Sequence, residues 1–363
     1  MEQETLKDLT VLIARASPWH LGHCEVLKRA LETSKAVLVL VGSSGQARNT
    51  KNPFTFEERA DMINRWVISG LFKEYNLQNS DQLCLRIRPI YDHPYNDQAW
   101  YRGIQEEVEL AKTGYANVIG LNPKVYLTGA DRDKSTWYLH SFGDLFIQDF
   151  VTEHKHGLEL SATHVRDQLF GKGFIDEALL PPTTIAFLRS FIKTPEYADL
   201  VKEYRFIEDY KKAWSAAPYA PTFVTVDTCV IQSGHILVNV RDNFPGQGLW
   251  ALPGGFLEQD EKLLDGAIRE LKEETRIELS NAQLYGAVKS KEIFDNPGRS
   301  LRGRTITTCF LLRLDDKKPL PKVKPQKGEV RKCMWLPIHE ALNNREKWFE
   351  DHYHLASWGI NQL

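Results

Sequence analysis

Three glutamates in the second half of the chain have a spacing that could bind a divalent cation. Glu270, Glu273 and Glu274 recur at positions i, i+3 and i+4, so a helix would place their carboxylates on one face. Hard oxygen ligands suit Mg²⁺ or Mn²⁺, and Mg²⁺ usually completes its shell with waters and substrate phosphate oxygens. The alternative is a solvated acidic helix, on which these like charges would only repel one another. The spacing therefore suggests a metal-dependent reaction on a phosphate-containing substrate.

The helix that must carry these carboxylates has an apolar face to hold it against a core. Its apolar residues recur at helical spacing, and they are Leu263, Leu264, Ala267, Ile268 and Leu271. The surrounding fixed positions resemble the Nudix box, and they are Gly255, Glu261, Arg269, Glu270, Leu271, Glu273, Glu274 and Ile277. This resemblance implies a loop–helix–loop that binds metal through its three glutamates, with Arg269 holding one of them and Glu273 acting in catalysis. It also implies hydrolysis of a nucleoside diphosphate linked to another group.

One position departs from the Nudix box. The glycine that the family has before the last apolar residue is Arg276 here. Glycine at a helix end serves a left-handed turn, which arginine enters only at a cost of roughly 1 to 2 kcal/mol. We therefore expect a changed loop shape after the helix, with the metal site retained.

Two histidines near the N-terminus could bind a phosphate. A buried strand is predicted over residues 10–14, a helix over 21–33 and a second strand over 36–42, which is the order of a parallel α/β sheet. His20 and His23 then fall at the N-terminus of the helix, where backbone N–H groups and the helix dipole favour anions. The alternative is a pair of histidines with only local hydrogen bonds.

A second anion-binding pattern lies about one domain length later. Ser161 and Thr163 open a predicted helix, and Arg166 follows one turn later on the same side. An ordinary helix cap with an exposed arginine is the alternative. Together the two patterns resemble the nucleotidylyltransferase superfamily, most closely nicotinamide mononucleotide adenylyltransferases of the archaeal type, including those fused to a Nudix domain. Further matching positions include Lys51, residues 52–55, Glu58, Arg59, Asn96, Trp100, residues 127–129, Asp133, Ser135 and Tyr138.

The resemblance implies a role for each matching residue of the first half. ATP phosphates would be bound by Arg15, His20, His23, Lys51, Ser161, Thr163 and Arg166, of which His20, His23 and Arg166 would act in catalysis. Asn96 and Trp100 would lie near the mononucleotide. No protein nucleophile is implied, because the mononucleotide phosphate attacks the α-phosphorus of ATP directly. The first loop departs from the family at Ala14, Ala16 and Ser17, which leaves transfer to a different acceptor as an alternative.

A basic loop follows the acidic helix. Arg299, Arg302 and Arg304 could neutralise a pyrophosphate that the carboxylates alone would repel, although a solvated loop is an equal alternative. The pattern D-x-P-x-R-x-x-R-G-R resembles Nudix domains of the same fused family that cleave ADP-ribose. The resemblance therefore implies that these three arginines bind ADP-ribose.

Composition limits the classes of function. The chain has 363 residues, 42% of them hydrophobic, and a formal net charge of −2, so we expect two globular domains and no field that attracts nucleic acid or membranes. The N-terminus lacks a signal-peptide core, and a cytoplasmic protein is expected. Five dispersed cysteines indicate neither a disulfide framework nor a zinc site. The histidine pairs His154/His156 and His352/His354 are interpreted as surface residues.

These observations predict an α/β protein of two domains. A Rossmann-like nucleotidylyltransferase domain is expected over residues 1–190, a helical linker over 191–220 and a Nudix α/β/α sandwich over 221–363. By resemblance the chain would make NAD and pyrophosphate from ATP and nicotinamide mononucleotide, and would hydrolyse ADP-ribose to AMP and ribose 5-phosphate, with Mg²⁺ or Mn²⁺ as cofactor. The alternative for the second domain is a ligand sensor that regulates the transferase without hydrolysis. The sequence is compatible with an oligomer.

Overall fold

The apolar runs of the first half form a parallel sheet. The structure is a computed structural model that describes residues 6–71, 84–130, 138–151 and 160–363, so Asp133, Ser135, His154 and His156 lie outside the described residues. Within the described ranges the sheet has five strands: β1 (Lys7–Ala14), β2 (Ser34–Val41), β3 (Leu85–Pro89), β4 (Val125–Ala130) and β5 (Ile147–Val151). Their order is β3-β2-β1-β4-β5, all parallel. Chain order reverses between β1 and β4, which is where ligands bind in open parallel sheets.

Helices lie between and after these strands along the chain, and several of them pack on the sheet. They are α1 (Leu21–Thr33), α2 (Phe56–Trp66), α3 (Asp97–Gly114), α4 (Ala116–Ile119), α5 (Ala162–Lys172), α6 (Pro182–Phe191) and α7 (Pro195–Trp214). Alternate residues of β1 and β2, such as Val11 and Leu38, pack against Ile104 and Val108 of α3. The predicted first helix and the strand on either side of it are confirmed. The chain divides into two units, Met1–Val201 and Lys202–Leu363, and the division falls within α7.

The second unit is built on a mixed sheet. Its described strands are β6 (Thr222–Gln232), β7 (His235–Arg241), β8 (Trp250–Ala251), β9 (Gly254–Phe256), β10 (Val288–Phe294), β11 (Arg304–Arg313) and β12 (Val330–Pro337). The main order is β10-β11-β6-β7-β12, with β8 on β7 and β9 on β6. Two apolar runs, 223–231 and 235–241, flank Ser233 and Gly234 in the sequence, a pattern that predicts a hairpin. The structure confirms it, since β6 and β7 are joined by these two residues, both with positive φ (48° and 71°). A two-residue turn with both φ positive matches the twist of antiparallel strands.

The acidic segment forms the predicted helix. Besides α8 (Leu263–Thr275), the unit contains α9 (Asn281–Ala287), α10 (Ile338–Asn343) and α11 (His352–Ile360). Ala267, Ile268 and Leu271 of α8 are buried against Val226 and Phe310 of the sheet. This burial leaves the glutamate face of α8 free to turn towards the loops before it.

The expectation of a changed loop after α8 is wrong. Arg276 itself adopts the left-handed conformation, with φ 45° and ψ 37°, and its N–H donates to the Lys272 carbonyl. The segment that follows β11 then caps the helix, because Lys324 N and Gln326 N donate to the carbonyls of Thr275 and Glu274. These hydrogen bonds hold the turn that glycine would enter without strain.

In the described part of the chain, no helix is long and apolar enough to cross a bilayer.

Candidate active sites in the two units

Cationic side chains gather at the carboxyl end of β1 in the first unit. Arg15 directly follows β1, and His20 is the N-cap residue of α1. Burial lowers the pKa of Lys51, and the charges of Arg15 and Arg166 lower it further while Asp92 opposes them. Because Arg15 and Arg166 both act on Lys51, these predicted phosphate ligands lie in one electrostatic neighbourhood. Such an excess of positive charge favours a bound anion.

The two histidines stack on each other. The rings of His20 and His23 are 3.7 Å apart with an interplanar angle of 24°, and Trp19 stacks on His23 at 4.9 Å. The backbone N–H of His20 donates to Nδ1 of the His23 ring at 3.3 Å. Two imidazolium ions at this separation would repel each other unless an anion lay beside them. The stack therefore fixes both rings at the N-terminus of α1, where a phosphate would offset the repulsion.

Arg166 is buried, so the alternative of an exposed arginine is wrong. Its Nη1 donates to the Ser17 carbonyl at 2.7 Å, and its Nη2 donates to Oγ1 of Thr163 at 3.0 Å. Ser161 is the N-cap residue of α5 and accepts from the Thr163 N–H at 3.2 Å. Burial lowers the pKa of Arg166 to about 10, and the charge of Arg15 adds to this effect. These contacts place Ser161, Thr163 and Arg166 beside the loop that follows β1.

Arg59 has a structural role that the sequence alone does not indicate. Its side chain is 1% exposed and donates to backbone carbonyls of Thr55, Arg15 and Gly42. Burial lowers its pKa to about 10, followed by the charge of Arg15. Arg59 thus joins the ends of β1 and β2 while keeping its charge. In the sequence, the position of Arg59 directly after the capping box formed by Thr55 and Glu58 places it in the first turn of α2, close to the loop before that helix.

The two predicted mononucleotide ligands have structural roles in addition. Asn96 is exposed and is the N-cap residue of α3, where its side chain accepts from the Ala99 N–H at 3.0 Å. Trp100 is half-buried, with ring contacts to Tyr138 and Phe142. Both lie at the start of α3, and contact with a mononucleotide stays a prediction for them.

In the second unit, Arg269 connects the acidic residues around α8. Its Nε and Nη2 donate to the two oxygens of Glu261 at 3.0 and 2.7 Å, and its Nη1 donates to Glu270 at 2.9 Å and Glu273 at 3.1 Å. The carboxylate of Glu270 lies over Gly255, where an added Cβ would come within 2.5 Å of Oε1. A glycine is therefore needed at position 255 for Glu270 to approach the loop.

Glu274 is the most deeply placed of the three glutamates. Its Oε2 accepts from the Gly254 N–H and from Nδ2 of Asn239, both at 2.9 Å. Burial raises the pKa of Glu274 to about 8; the Gly254 hydrogen bond opposes the rise, and the charge of Glu270 adds to it. Burial likewise raises the pKa of Glu270. Glu273 differs, since its side chain is 51% exposed. A divalent cation would stabilise the ionised form of the two buried carboxylates.

The carboxylates suit a hard cation in chemistry but are not yet arranged around one. Among the residues that the structure describes, no group of three or more His, Cys, Asp or Glu side chains is placed to hold a metal ion. Arg269 lies between Glu270 and Glu273 and hydrogen-bonds to both. All-oxygen donors fit Mg²⁺ or Mn²⁺, so binding would require these side chains to turn from Arg269 and converge.

A cleft that is open to solvent lies over Glu274, and two of the three predicted arginines line it. Arg299 is buried and forms a bidentate pair with Asp351 at 2.9 and 3.0 Å. The Arg302 guanidinium lies 5.3 Å from the centre of the Phe256 ring. Arg304 does not line the cleft and donates to the Asp295 carbonyl. Arg302 is therefore placed to meet a ligand, whereas Arg299 supports the wall.

The interpretation of His352 as a surface residue is wrong. His352 is 7% exposed and lines the cleft, and its Nδ1 accepts from the Leu252 N–H at 3.1 Å. Burial lowers its pKa well below the usual value, and Arg299 adds to this effect. The ring is therefore neutral, as a hydrogen-bond acceptor must be. The polar residues around His352 in the sequence do not reveal that α11 packs this face inward.

Other cleft residues escaped the sequence reasoning because no local motif marks them. They are Asp227 on β6, Asn239 and Arg241 on β7, and Glu350 before α11. Burial raises the pKa of Asp227 to about 6, while Arg299 and the hydroxyl of Thr307 oppose the rise. The β6–β7 hairpin and a segment more than 100 residues later supply these groups, so only the fold brings them to one cleft.

Comparisons with known proteins agree along the whole chain. The cytidylyltransferase-like family model matches residues 13–168, and the NUDIX domain model matches residues 221–359. The nicotinamide/nicotinic acid mononucleotide adenylyltransferase of Acinetobacter baylyi is 31% identical over 198 residues, which are 54% of this chain and 94% of that protein. The ADP-ribose pyrophosphatase of Methanocaldococcus jannaschii is 35% identical over 94 residues, 26% of this chain and 52% of that protein.

Solved structures that are similar over nearly the full length include the following one. It is a bifunctional NMN adenylyltransferase/ADP ribose pyrophosphatase from Francisella tularensis, complexed with AMP and a manganese ion. It is 34% identical, with a TM-score of 0.85, and the match covers 98% of this chain and 99% of that one. The match therefore includes both units rather than one shared domain.

Proposed function

Because this chain belongs to the family of bifunctional NMN adenylyltransferase/ADP-ribose pyrophosphatases, we propose that it both synthesises NAD and hydrolyses ADP-ribose. The first unit transfers AMP from ATP to nicotinamide mononucleotide and releases pyrophosphate. The second unit hydrolyses ADP-ribose to AMP and ribose 5-phosphate. The observation that carries this proposal is the presence in one chain of a cationic site at a sheet switch point and an acidic helix under a cleft.

In the first unit, the chain's own residues position the phosphates and offset their charge. Arg15, Lys51 and Arg166 supply fixed positive charge, and the stacked His20 and His23 rings add donors at the N-terminus of α1. Arg166 and the two histidines are held by contacts within the protein before ATP arrives, so little reorganisation of these groups opposes the transition state. The attacking group belongs to the mononucleotide, and the side chains therefore bind, orient and stabilise charge.

In the second unit, Glu270, Glu273 and Glu274 would hold divalent metal, Mg²⁺ or Mn²⁺. The metal would polarise the pyrophosphate and lower the pKa of a bound water. Gly254 N–H and Asn239 hold one oxygen of Glu274, while Glu270 and Glu273 lie on the same helix face and would leave Arg269 to join it. Arg302 offers the substrate a cation above Phe256. The domain limits that accompany this proposal are 1–190 for the transferase, 191–220 for the linker and 221–363 for the hydrolase.

The proposal is tested with the purified full chain and identification of products by mass. With Mg²⁺ and ATP, nicotinamide mononucleotide should yield NAD, and a panel of other mononucleotides tests whether the departures at Ala14, Ala16 and Ser17 change the acceptor. With Mg²⁺ alone, ADP-ribose should yield AMP and ribose 5-phosphate. Binding of ADP-ribose without hydrolysis, together with a change in the rate of NAD synthesis, would instead identify the second unit as a sensor.

A further inference from the structure

Glu350 has a strained backbone at the edge of the second unit's cleft. Its φ is 45°, a left-handed conformation that glycine adopts freely and that glutamate rarely does. The neighbouring residues hold it there, because Phe349 N donates to the Trp250 carbonyl at 2.8 Å and Asp351 pairs with Arg299. Strain of this kind is retained where the surrounding structure imposes it, and it is common at ligand sites.

The strained backbone places a carboxylate in the cleft wall with unused hydrogen-bonding capacity. Glu350 lines the cleft, and the Ser300 hydroxyl donates to its carboxylate. Its Oε1 is buried and accepts no hydrogen bond from the residues that the structure describes. Burial raises the pKa of Glu350, while the charges of Arg302 and Arg299 oppose that rise. A buried carboxylate oxygen without a donor is costly, so a ligand that donates a hydrogen bond to it would be favoured.

The chemistry of that ligand group follows from the charges around it. A carboxylate only accepts hydrogen bonds and repels phosphate, so the part of the ligand beside Glu350 must be uncharged and must carry donors. Phe256, 40% exposed in the same cleft, offers an apolar face on which a nucleobase could stack. The remaining donors of a nucleoside diphosphate sugar are its sugar hydroxyls, and the open Oε1 of Glu350, with two lone pairs, can accept from two vicinal hydroxyls.

We propose that Glu350 is a specificity-determining residue that accepts hydrogen bonds from the vicinal hydroxyls of a ribose in the ligand of the second unit. This inference rests on the proposed function, which supplies a ligand with two riboses. The hydroxyls belong either to the adenosine or to the terminal ribose, and both offer the same donor pair. If Glu350 contacts the terminal ribose, a third phosphate in its place would meet the Glu350 charge and be disfavoured.

The test compares ligands that differ only in these hydroxyls. Dissociation constants are measured by calorimetry in Mg²⁺, on the full chain, with non-hydrolysable α,β-methylene analogues of ADP-ribose, ADP and 2′-deoxy-ADP. Glu350→Gln keeps the shape and removes the charge, and Glu350→Gly also removes the side chain while relieving the backbone strain. Losing hydrogen bonds to a charged group should weaken binding of the recognised ligand about 10-fold or more.

The pattern of losses decides the proposal. A larger loss for the ADP-ribose analogue than for the ADP analogue assigns the terminal ribose, and a larger loss for ADP than for 2′-deoxy-ADP assigns the adenosine ribose. Equal losses for all three ligands, or none, would overturn it, as would failure of the parent protein to bind any of them. The Glu350→Gly protein should melt no lower than the parent, which excludes misfolding as the cause. Absence of ADP-ribose hydrolysis by the parent would reject the proposed hydrolase while leaving this binding test intact.

Discussion

The two candidate sites have opposite charge, and their side chains are held in different ways. In the first unit, the buried guanidiniums of Arg59 and Arg166 donate to backbone carbonyls, which leaves their net charge uncancelled. In the second unit, Arg269 forms ion pairs with Glu261, Glu270 and Glu273, so these carboxylates largely neutralise its charge. The first site is therefore already charged for phosphate, whereas the second must acquire a cation before a pyrophosphate can approach.

The difference predicts how each unit responds to its environment. A preformed cationic site binds phosphate through hydrogen bonds and charge that are present in the free protein. In an acidic site without metal the carboxylates repel one another. Binding of metal to the folded protein should therefore stabilise the second unit by mass action. The following changes, from the largest expected effect to the smallest, test this contrast.

Glu274→Gln should abolish most of the hydrolysis. It keeps the shape of the side chain and removes one proposed metal ligand; because metal assistance supplies several kcal/mol, a loss on the order of 1,000-fold is expected. The melting temperature of the parent should rise with Mg²⁺, and that of the variant should rise much less. Glu278→Gln, an exposed residue beyond α8, is the matched control. A parent that shows no Mg²⁺-dependent shift would contradict the metal site.

His23→Ala should lower NAD synthesis by about 100-fold, the scale for loss of one preorganised donor. Hydrolysis of ADP-ribose by the same protein should be unchanged, because His23 belongs to the first unit. The exposed His140 provides the matched control, and its change to alanine should leave synthesis near the parental rate. Synthesis at the parental rate by the His23 variant would reject the phosphate assignment of the stacked histidines.

Asp227→Asn tests the stored charge of the second unit through pH. The pKa of Asp227 is raised from 3.8 to about 6, so the folded protein holds this proton more tightly than the unfolded chain. Its contribution to stability is complete below pH 4 and is lost as the pH rises to about 6, a loss of ~2 kcal/mol that the variant should lack. Arg59 and Arg166, with pKa values about 10, stay charged throughout. Urea unfolding at pH 4 and pH 7 measures the difference, and parallel pH dependence in parent and variant would refute it.

Arg276→Gly should stabilise the second unit by about 1 kcal/mol, because glycine enters the left-handed turn without the strain that arginine bears. Arg276→Ala keeps the strain and should give no gain, so the pair isolates the backbone effect. Hydrolysis should be the same in all three proteins, since Arg276 touches no proposed ligand site. Equal unfolding free energies for the glycine and alanine variants would show that the turn is not strained.

Patterns that depend on neighbours along the chain were readable from the sequence. Helix α1, the β6–β7 hairpin and the carboxylate face of α8 follow from apolar periodicity and turn residues, which act within a few positions. The two family resemblances rest on motifs of the same kind. The order of elements then predicted the α/β class, because strand, helix and parallel strand admit few arrangements.

What the tertiary structure alone decided is which groups are buried and what lies beside them. Glu350 precedes α11 and His352 is its first residue, yet both line one cleft with Asp227 of β6 and Asn239 of β7. Their protonation and hydrogen-bonding capacity depend on desolvation by segments more than 100 residues away in the chain, which no local pattern records. The left-handed turn at Arg276 was likewise decided from outside, because its strain is opposed by hydrogen bonds from residues 324 and 326 to the end of α8. Local propensity selected the elements of this protein, and long-range packing assigned the charge and partners of its functional side chains.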